Sequence, residues 1–314
     1  MSSTAQTAAV ASPRSRARRW LARLALGLIV LVLALYIGIS ALAASMLTVP
    51  RRVVGAATPA SLGLVFQDVQ FPAQVDAVPI SGWYIPRDSS RKAIVLVHGK
   101  DSNRANEFGR RFPNLAAALH ERGFAILMID MRGHGQSGDG RYSFGLNEQR
   151  DIAGAADWLR SQGFLPGSIG VLGVSMGAAS SMFAAANDPD IGALIEDCGY
   201  ADINPILAHE WSKSSGLPDI FLPSSLFAVR LMYGYNIGAA RPVAEVGKIA
   251  PRPMLIIHGS ADTLVPVAQA EQIKAANPSA ELWEVAGAGH AGSYAANPQA
   301  YVQRVASFFA QSLK

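Results

Sequence analysis

Two features of the sequence predict an α/β domain with a mostly parallel central sheet and helices on both faces, preceded by one helix of membrane-spanning length. The first is the repeated alternation, from residue 93 onward, of short continuous apolar runs with longer helical stretches. Continuous apolar runs are the mark of strands buried on both faces, and strand–helix repetition builds a parallel sheet covered on both sides. The second is Leu24–Leu47, 24 residues without a charge and rich in Leu, Ile, Val and Ala.

Composition bounds the function classes. A chain of 314 residues, 50% apolar, buries a sizeable core in one or two domains. Its single cysteine, Cys198, excludes an intrachain disulfide framework and a cysteine-cluster metal site. The formal net charge is +4, but it is not spread over a binding face. Seven of the 27 basic residues are Arg14, Arg16, Arg18, Arg19, Arg23, Arg51 and Arg52, and residues 1–52 hold no acid; the rest of the chain has 20 basic against 23 acidic residues. The basic character flanks an apolar segment, so no nucleic-acid partner is expected.

The expected organisation is a basic tail over 1–23, a membrane helix over 24–47, a linker over 48–61 and the α/β domain over 62–314. At ~1.5 Å per residue the apolar segment is ~36 Å of helix, enough for a ~30 Å hydrocarbon core with some tilt. Trp20 suits one interface, and the arginines before it stay cytoplasmic by the positive-inside rule, which puts the domain on the exported side. The alternative is a cleaved signal peptide, since Ala41-Leu42-Ala43 resembles a cleavage site, although the apolar run exceeds the usual ~7–15 residues.

Leu64–Phe71 and Val78–Ile85 read as two strands opening the sheet in antiparallel fashion. Strand Ala93–His98, helix Asn103–Arg122, strand Phe124–Asp130 and a Gly-rich loop, Met131–Gly140, follow. Then come helix Asn147–Ser161, strand Ser168–Val174, helix Met176–Asn187 and strand Ile191–Asp197. Alternation breaks over 198–252, a helical insert with helices at Ile203–Ser215 and Leu222–Tyr233. It resumes with strand Met254–His258, helix Val267–Asn277, strand Glu281–Ala286 and helix Pro298–Leu313.

Ligand sites in such sheets lie at the carboxyl ends of the strands. There the chain places His98-Gly99-Lys100-Asp101, Asp130, Ser175, Asp197-Cys198, His258 to Asp262, and Gly287 to His290. Gly173-Val174-Ser175-Met176-Gly177 fits G-x-S-x-G, in which a serine is carried on a sharp strand-to-helix turn and exposed above the sheet. The serine, acid and histidine follow in the order Ser175, Asp262, His290, the order that goes with such an elbow.

With Val95-Leu96-Val97-His98-Gly99, Asp130-Met131-Arg132-Gly133-His134-Gly135-Gln136-Ser137-Gly138, Gly173 to Gly177, Ile257 to Asp262 with Val265-Pro266, and Gly289-His290, the chain resembles the α/β-hydrolase superfamily from about Leu64 to Lys314. Within it, the chain is most similar to single-pass, membrane-anchored serine hydrolases of the Bem46 type, with kinship to serine aminopeptidase-like domains. The resemblance implies hydrolysis of esters, thioesters or amides through an acyl-enzyme, with small-molecule, lipid or peptide substrates. Transfer to an alcohol, peptidase action and a non-catalytic tethered binding module are the alternatives.

A serine hydroxyl is a poor nucleophile without a base in reach. His290 would take its proton and return it to the leaving group, and Asp262 would fix the imidazole tautomer. The Met176 N–H and the N–H of Lys100 would receive the developing oxyanion. Asp197 is the rival acid, and His98 and His134 are rival bases better placed to brace turns, as are Asp130, Arg132 and His258. Asp262 could instead cap the helix after Pro266, Lys100 could meet an anionic group, and Cys198 is expected as a buried thiol. No phosphate loop, metal-ligand spacing or nucleotide fingerprint occurs, so no cofactor and no metal are expected.

Overall fold

The computed structural model describes residues 13–53, 55, 57–88 and 90–314. Much of the basic tail and positions 54 and 56 of the linker therefore lie outside the described residues. Helix α1, Pro13–Thr48, is 36 residues long, and its segment Arg16–Thr48 is long and apolar enough to cross a membrane. Almost all of it is exposed, so it is not a core helix; only its last turns, from Tyr36 to Thr48, meet the domain.

Eight strands form one sheet: β1 Gln67–Pro72, β2 Pro79–Ile85, β3 Ala93–Val97, β4 Ala125–Ile129, β5 Ile169–Val174, β6 Ile191–Asp197, β7 Met254–Gly259 and β8 Glu281–Val285. They are ordered β1-β2-β4-β3-β5-β6-β7-β8, antiparallel across β1–β2 and β2–β4 and parallel elsewhere. The crossover reverses direction at β3: β4 lies on one side of it and β5 on the other. A crevice opens at such a point, and the loops leaving β3 and β5, aligned through Val97 and Gly173, border it.

Among the described residues nine further helices follow: α2 Glu107–Arg110, α3 Phe112–Glu121, α4 Gln149–Ser161, α5 Met176–Asn187, α6 Ile203–Ser215, α7 Phe221–Tyr233, α8 Ala268–Ala276, α9 Ser293–Ala296 and α10 Pro298–Ser312. Every residue of β3, β4, β5 and β6 is buried, which explains their lack of polar alternation. One face (Val95, Leu127, Val171) packs on Ile152 of α4 and on Ala179 and Met182 of α5. The other (Ile94, Leu96, Met128) packs on Leu115 of α3 and on Tyr301, Val305 and Phe309 of α10.

Three departures from expectation have local causes. The helix expected over 103–122 is broken, because Phe108, Gly109 and Arg110 take positive φ and Pro113 starts a new helix in its favoured first turn. β1 begins at Gln67, not Leu64, because a 3₁₀ turn over Pro59–Leu62 ends on Gly63 at φ 75°. The short helix α9 was not expected at all. The 198–252 segment contains α6 and α7 followed by three short 3₁₀ turns.

Two buried ionic groups give the fold measurable properties. Arg132 is anchored by Asp151, which accepts from its backbone N–H and from Nε and Nη2 at 2.7–2.9 Å, and by Asp76. Arg132→Met would leave the Asp151 carboxylate buried and unpaired, and is expected to lower unfolding free energy by about 3–5 kcal/mol in a urea titration. Glu196, at the end of β6, has one oxygen bonded to the Gly199 N–H and the other without a partner. Burial pushes its pKa up from 4.5 to about 8. Between those values the native chain holds a proton that the unfolded chain has lost, so this group makes stability fall as pH rises through the window. Glu196→Gln should flatten the loss of stability between pH 4.5 and 8; an unchanged slope in pH-dependent melts would show that Glu196 does not titrate there.

Candidate active site

Ser175 takes φ 54° and ψ −117°, a conformation costly for a residue with a side chain. Its surroundings hold it there. The Ser175 N–H donates to the Asp197 carbonyl at 2.8 Å, and its own carbonyl accepts from Ala179 in the first turn of α5. The two motif glycines permit the close crossing of β5 and α5. A Cβ on Gly173 would sit 2.4 Å from the Gly177 carbonyl oxygen, and one on Gly177 would sit 2.3 Å from that of His98. Among residues 169–185, Ser175 alone escapes burial. The turn thus lifts one hydroxyl out of the core.

The Ser175 hydroxyl donates to His290 Nε2 at 2.8 Å, and His290 Nδ1 donates to Asp262 Oδ2 at 2.7 Å. His290 sits in the loop after β8, and Asp262 in the loop after β7. The Asp262 side chain is fully buried, whereas that of His290 is 23% exposed. Asp262 Oδ1 accepts from the Leu264 and Val265 N–H groups of its own loop rather than capping α8, which starts at Ala268, so the helix-capping expectation is corrected to a loop brace.

Lys100 and Met176 lie on adjoining segments. Met176 is the first residue of α5, ahead of the helix's own i→i−4 ladder. Among the described residues, no hydrogen bond engages the Lys100 N–H, although its neighbours are fixed. Gly99 donates to Glu107 Oε2 at 2.6 Å, and Asp101 donates to the Tyr142 hydroxyl, which returns a bond to Asp101 Oδ1 at 2.7 Å. The Lys100 ammonium pairs with Asp101 Oδ2 at 2.6 Å.

The rival residues are engaged elsewhere. Asp197 is fully buried and accepts from the Tyr301 hydroxyl at 2.8 Å and from Ser293 at 3.2 Å. Burial pushes its pKa up to about 7, against the pull of those two hydroxyls. His98 donates from Nδ1 to the Gly99 carbonyl and accepts the Met131 N–H at Nε2. His134 lies between the Arg132 carbonyl and the Tyr142 hydroxyl, and His258 meets the Val265 carbonyl. Asp130 binds Arg104 and the Gln136 N–H. All of these brace loops around the sheet edge.

Cys198 is buried, and burial holds its thiol pKa well up. Its sulfur and ligand atoms of Asp262 and His290 lie within 4.8 Å of one another. A metal there would have to break the His290–Asp262 hydrogen bond and deprotonate the thiol. Glu107, Tyr142, Ser293 and Tyr301, which hold the loops in place, carry no signature in the sequence, because each acts on a residue distant in the chain or across a turn.

Similarity to known proteins bears on the family and the fold. The prolyl oligopeptidase family (Peptidase_S9) profile matches residues 110–314. The uncharacterised protein YqkD of Bacillus subtilis is 31% identical over 234 residues, covering 73% of this chain and 74% of that protein. The structure of the Pyrococcus furiosus esterase Pf2001 superposes with a TM-score of 0.69 at 28% identity, over 84% of this chain and 98% of the esterase. A puromycin-hydrolysing peptidase of Mycobacterium tuberculosis shares the fold at TM-score 0.64 and 17% identity, over 82% of this chain and 42% of that one. The chain is a hydrolase of the α/β-hydrolase superfamily, and it belongs to the prolyl oligopeptidase family.

Proposed function

We propose that the chain is a serine hydrolase that cleaves ester, thioester or amide bonds through an acyl-enzyme on Ser175. The observation that carries this reading is the unbroken line from the half-buried Ser175 hydroxyl through His290 to the buried Asp262. His290 Nε2 takes the hydroxyl proton as Oγ attacks the substrate carbonyl, and passes it to the leaving alcohol, thiol or amine. Water then enters, gives a proton to His290, and attacks the acyl carbon; Ser175 Oγ leaves and recovers its proton. Asp262 keeps Nδ1 protonated and stabilises the imidazolium. The N–H groups of Met176 and Lys100 receive the negative oxygen of each tetrahedral intermediate.

The substrate reading is an acyl or lipid-like molecule at a membrane, with the chain a tethered hydrolase of the Bem46 type. The esterase likeness and the apolar helix α1 support it. The arginines at 16–23 favour a cytoplasmic N-terminus and an exported domain. Burial of Ser40 and Ala43 against the domain, and the hydrogen bond between Ser40 and Ser224, favour retention of α1 over cleavage near Ala43. A peptide or aminoacyl amide substrate is the second reading, favoured by the family match.

Ser175→Ala is expected to reduce turnover of a p-nitrophenyl acyl ester to background and to abolish labelling by a fluorophosphonate probe. Labelling that persisted in this variant would overturn the nucleophile. Asp262→Asn should lower turnover by ~10⁴ through the wrong tautomer, whereas Asp197→Asn should act mainly on stability. The reverse pattern in steady-state kinetics would move the acid to Asp197. A panel of acyl esters, acyl thioesters and aminoacyl amides, run on wild type and Ser175→Ala, separates the lipid from the peptide reading.

A further inference from the structure

Beyond α1, exposed apolar side chains gather along α7 and the residue before it: Ile220, Phe227 and Leu231 are 68%, 67% and 77% exposed, with Met232 beside them. Their spacing puts Ile220, Phe227 and Leu231 in one stripe. The opposite side of the helix is already packed, with Ser225 and Val229 buried. A helix facing water would carry charges on its outer side, yet residues 216–234 contain only Asp219 and Arg230.

This stripe is continuous with α1. The Tyr36 hydroxyl donates to the Ile220 carbonyl at 2.8 Å, its ring lies 4.9 Å from that of Phe221, and Ser40 bonds Ser224 at 2.8 Å. At the other end, the Arg141 guanidinium sits 4.1 Å over the Tyr233 ring and donates to the Ser45 carbonyl and to Thr48 Oγ1. So α7 runs alongside the last third of α1. At ~1.5 Å per residue, Tyr36 and Ser40 lie about 20 and 26 Å beyond Arg23, inside a hydrocarbon layer of ~30 Å. Polar side chains at that depth need protein partners, and α7 provides them.

We propose that α7 lies in the bilayer leaflet that holds the C-terminal part of α1, with Ile220, Phe227 and Leu231 against acyl chains. This rests on the reading of α1 as a membrane span. Arg230 lies in the last turn of α7, at the end that approaches the headgroups together with the close of α1. Arg141, at the level where α1 leaves the hydrocarbon, faces the headgroups.

The placement also narrows the substrate. The Arg51 N–H, three residues past the end of α1, donates to Asp101 Oδ1 at 3.1 Å, and Asp101 neighbours the Lys100 amide of the site. The Lys100 loop is therefore tied to the segment that leaves the leaflet. That position favours an acyl ester or thioester that stays dissolved in the membrane.

The test uses the full-length chain in vesicles of phosphatidylcholine with a minor share of phosphatidylglycerol. Single cysteines are introduced as Phe227→Cys or Leu231→Cys, with Leu33→Cys and Gln162→Cys as references, and labelled with an environment-sensitive fluorophore; Cys198 is fully buried and does not compete. Labels at 227 and 231 are expected to lose most of their emission to brominated phosphatidylcholine, as at 33, and little to aqueous iodide. Iodide quenching at 227 and 231 with bromine quenching intact at 33 would overturn the inference and leave the span standing. Quenching by neither agent would put a protein surface on the stripe and also overturn it. Failure of bromine quenching at 33 itself would remove the span, and the inference with it.

Discussion

The backbone at Ser175 is the constraint on which the rest of the site depends. A non-glycine residue at φ 54° is held only if its neighbours leave no other path. Here β5 supplies the entry, α5 the exit, the Asp197 carbonyl an anchor, and Gly173 and Gly177 the clearance. Substitution at either glycine would drive a methyl group into a backbone oxygen. The strain has a use: it lifts one hydroxyl out of a stretch that is otherwise buried.

Around that turn the molecule is a set of braces. Each loop that meets Ser175 is tied down by a buried polar group from another part of the chain. Glu107 fixes Gly99, Tyr142 fixes Asp101, and the Leu264 and Val265 N–H groups fix Asp262. Asp197 has a different task from Asp262, although both end strands. Its carboxylate is spent on Tyr301 and Ser293, so it joins α9 and α10 to β6. Two acids at similar positions thus take a structural and a site-facing part according to what reaches them first.

Much of this was legible in the sequence, and the rest was not for physical reasons. The buried strands and α5 and α6 were read to the residue or nearly so, because burial on both faces and uninterrupted helix-forming stretches leave a local trace. The order of Ser175, Asp262 and His290 was readable because strand ends are readable. The break at Phe108–Arg110 was not, since left-handed backbone at Phe and Arg follows from packing, not from propensity. Nor were Tyr301 and Ser293, whose partner is about a hundred residues away. Nor does the sequence of 203–233 say whether its aromatics face inward or outward. The structure divides them, burying Trp211 and leaving Phe227 outside.

The central claim is that Ser175 Oγ becomes acylated during turnover. Its most direct measurement is acid quenching of the enzyme within the first turnovers of an activated acyl ester, followed by peptide mapping by mass spectrometry. The account predicts the added acyl mass on Ser175 alone. An acyl group on Ser180, Ser181 or Cys198, or release of product with no acylated peptide at any time, would contradict it.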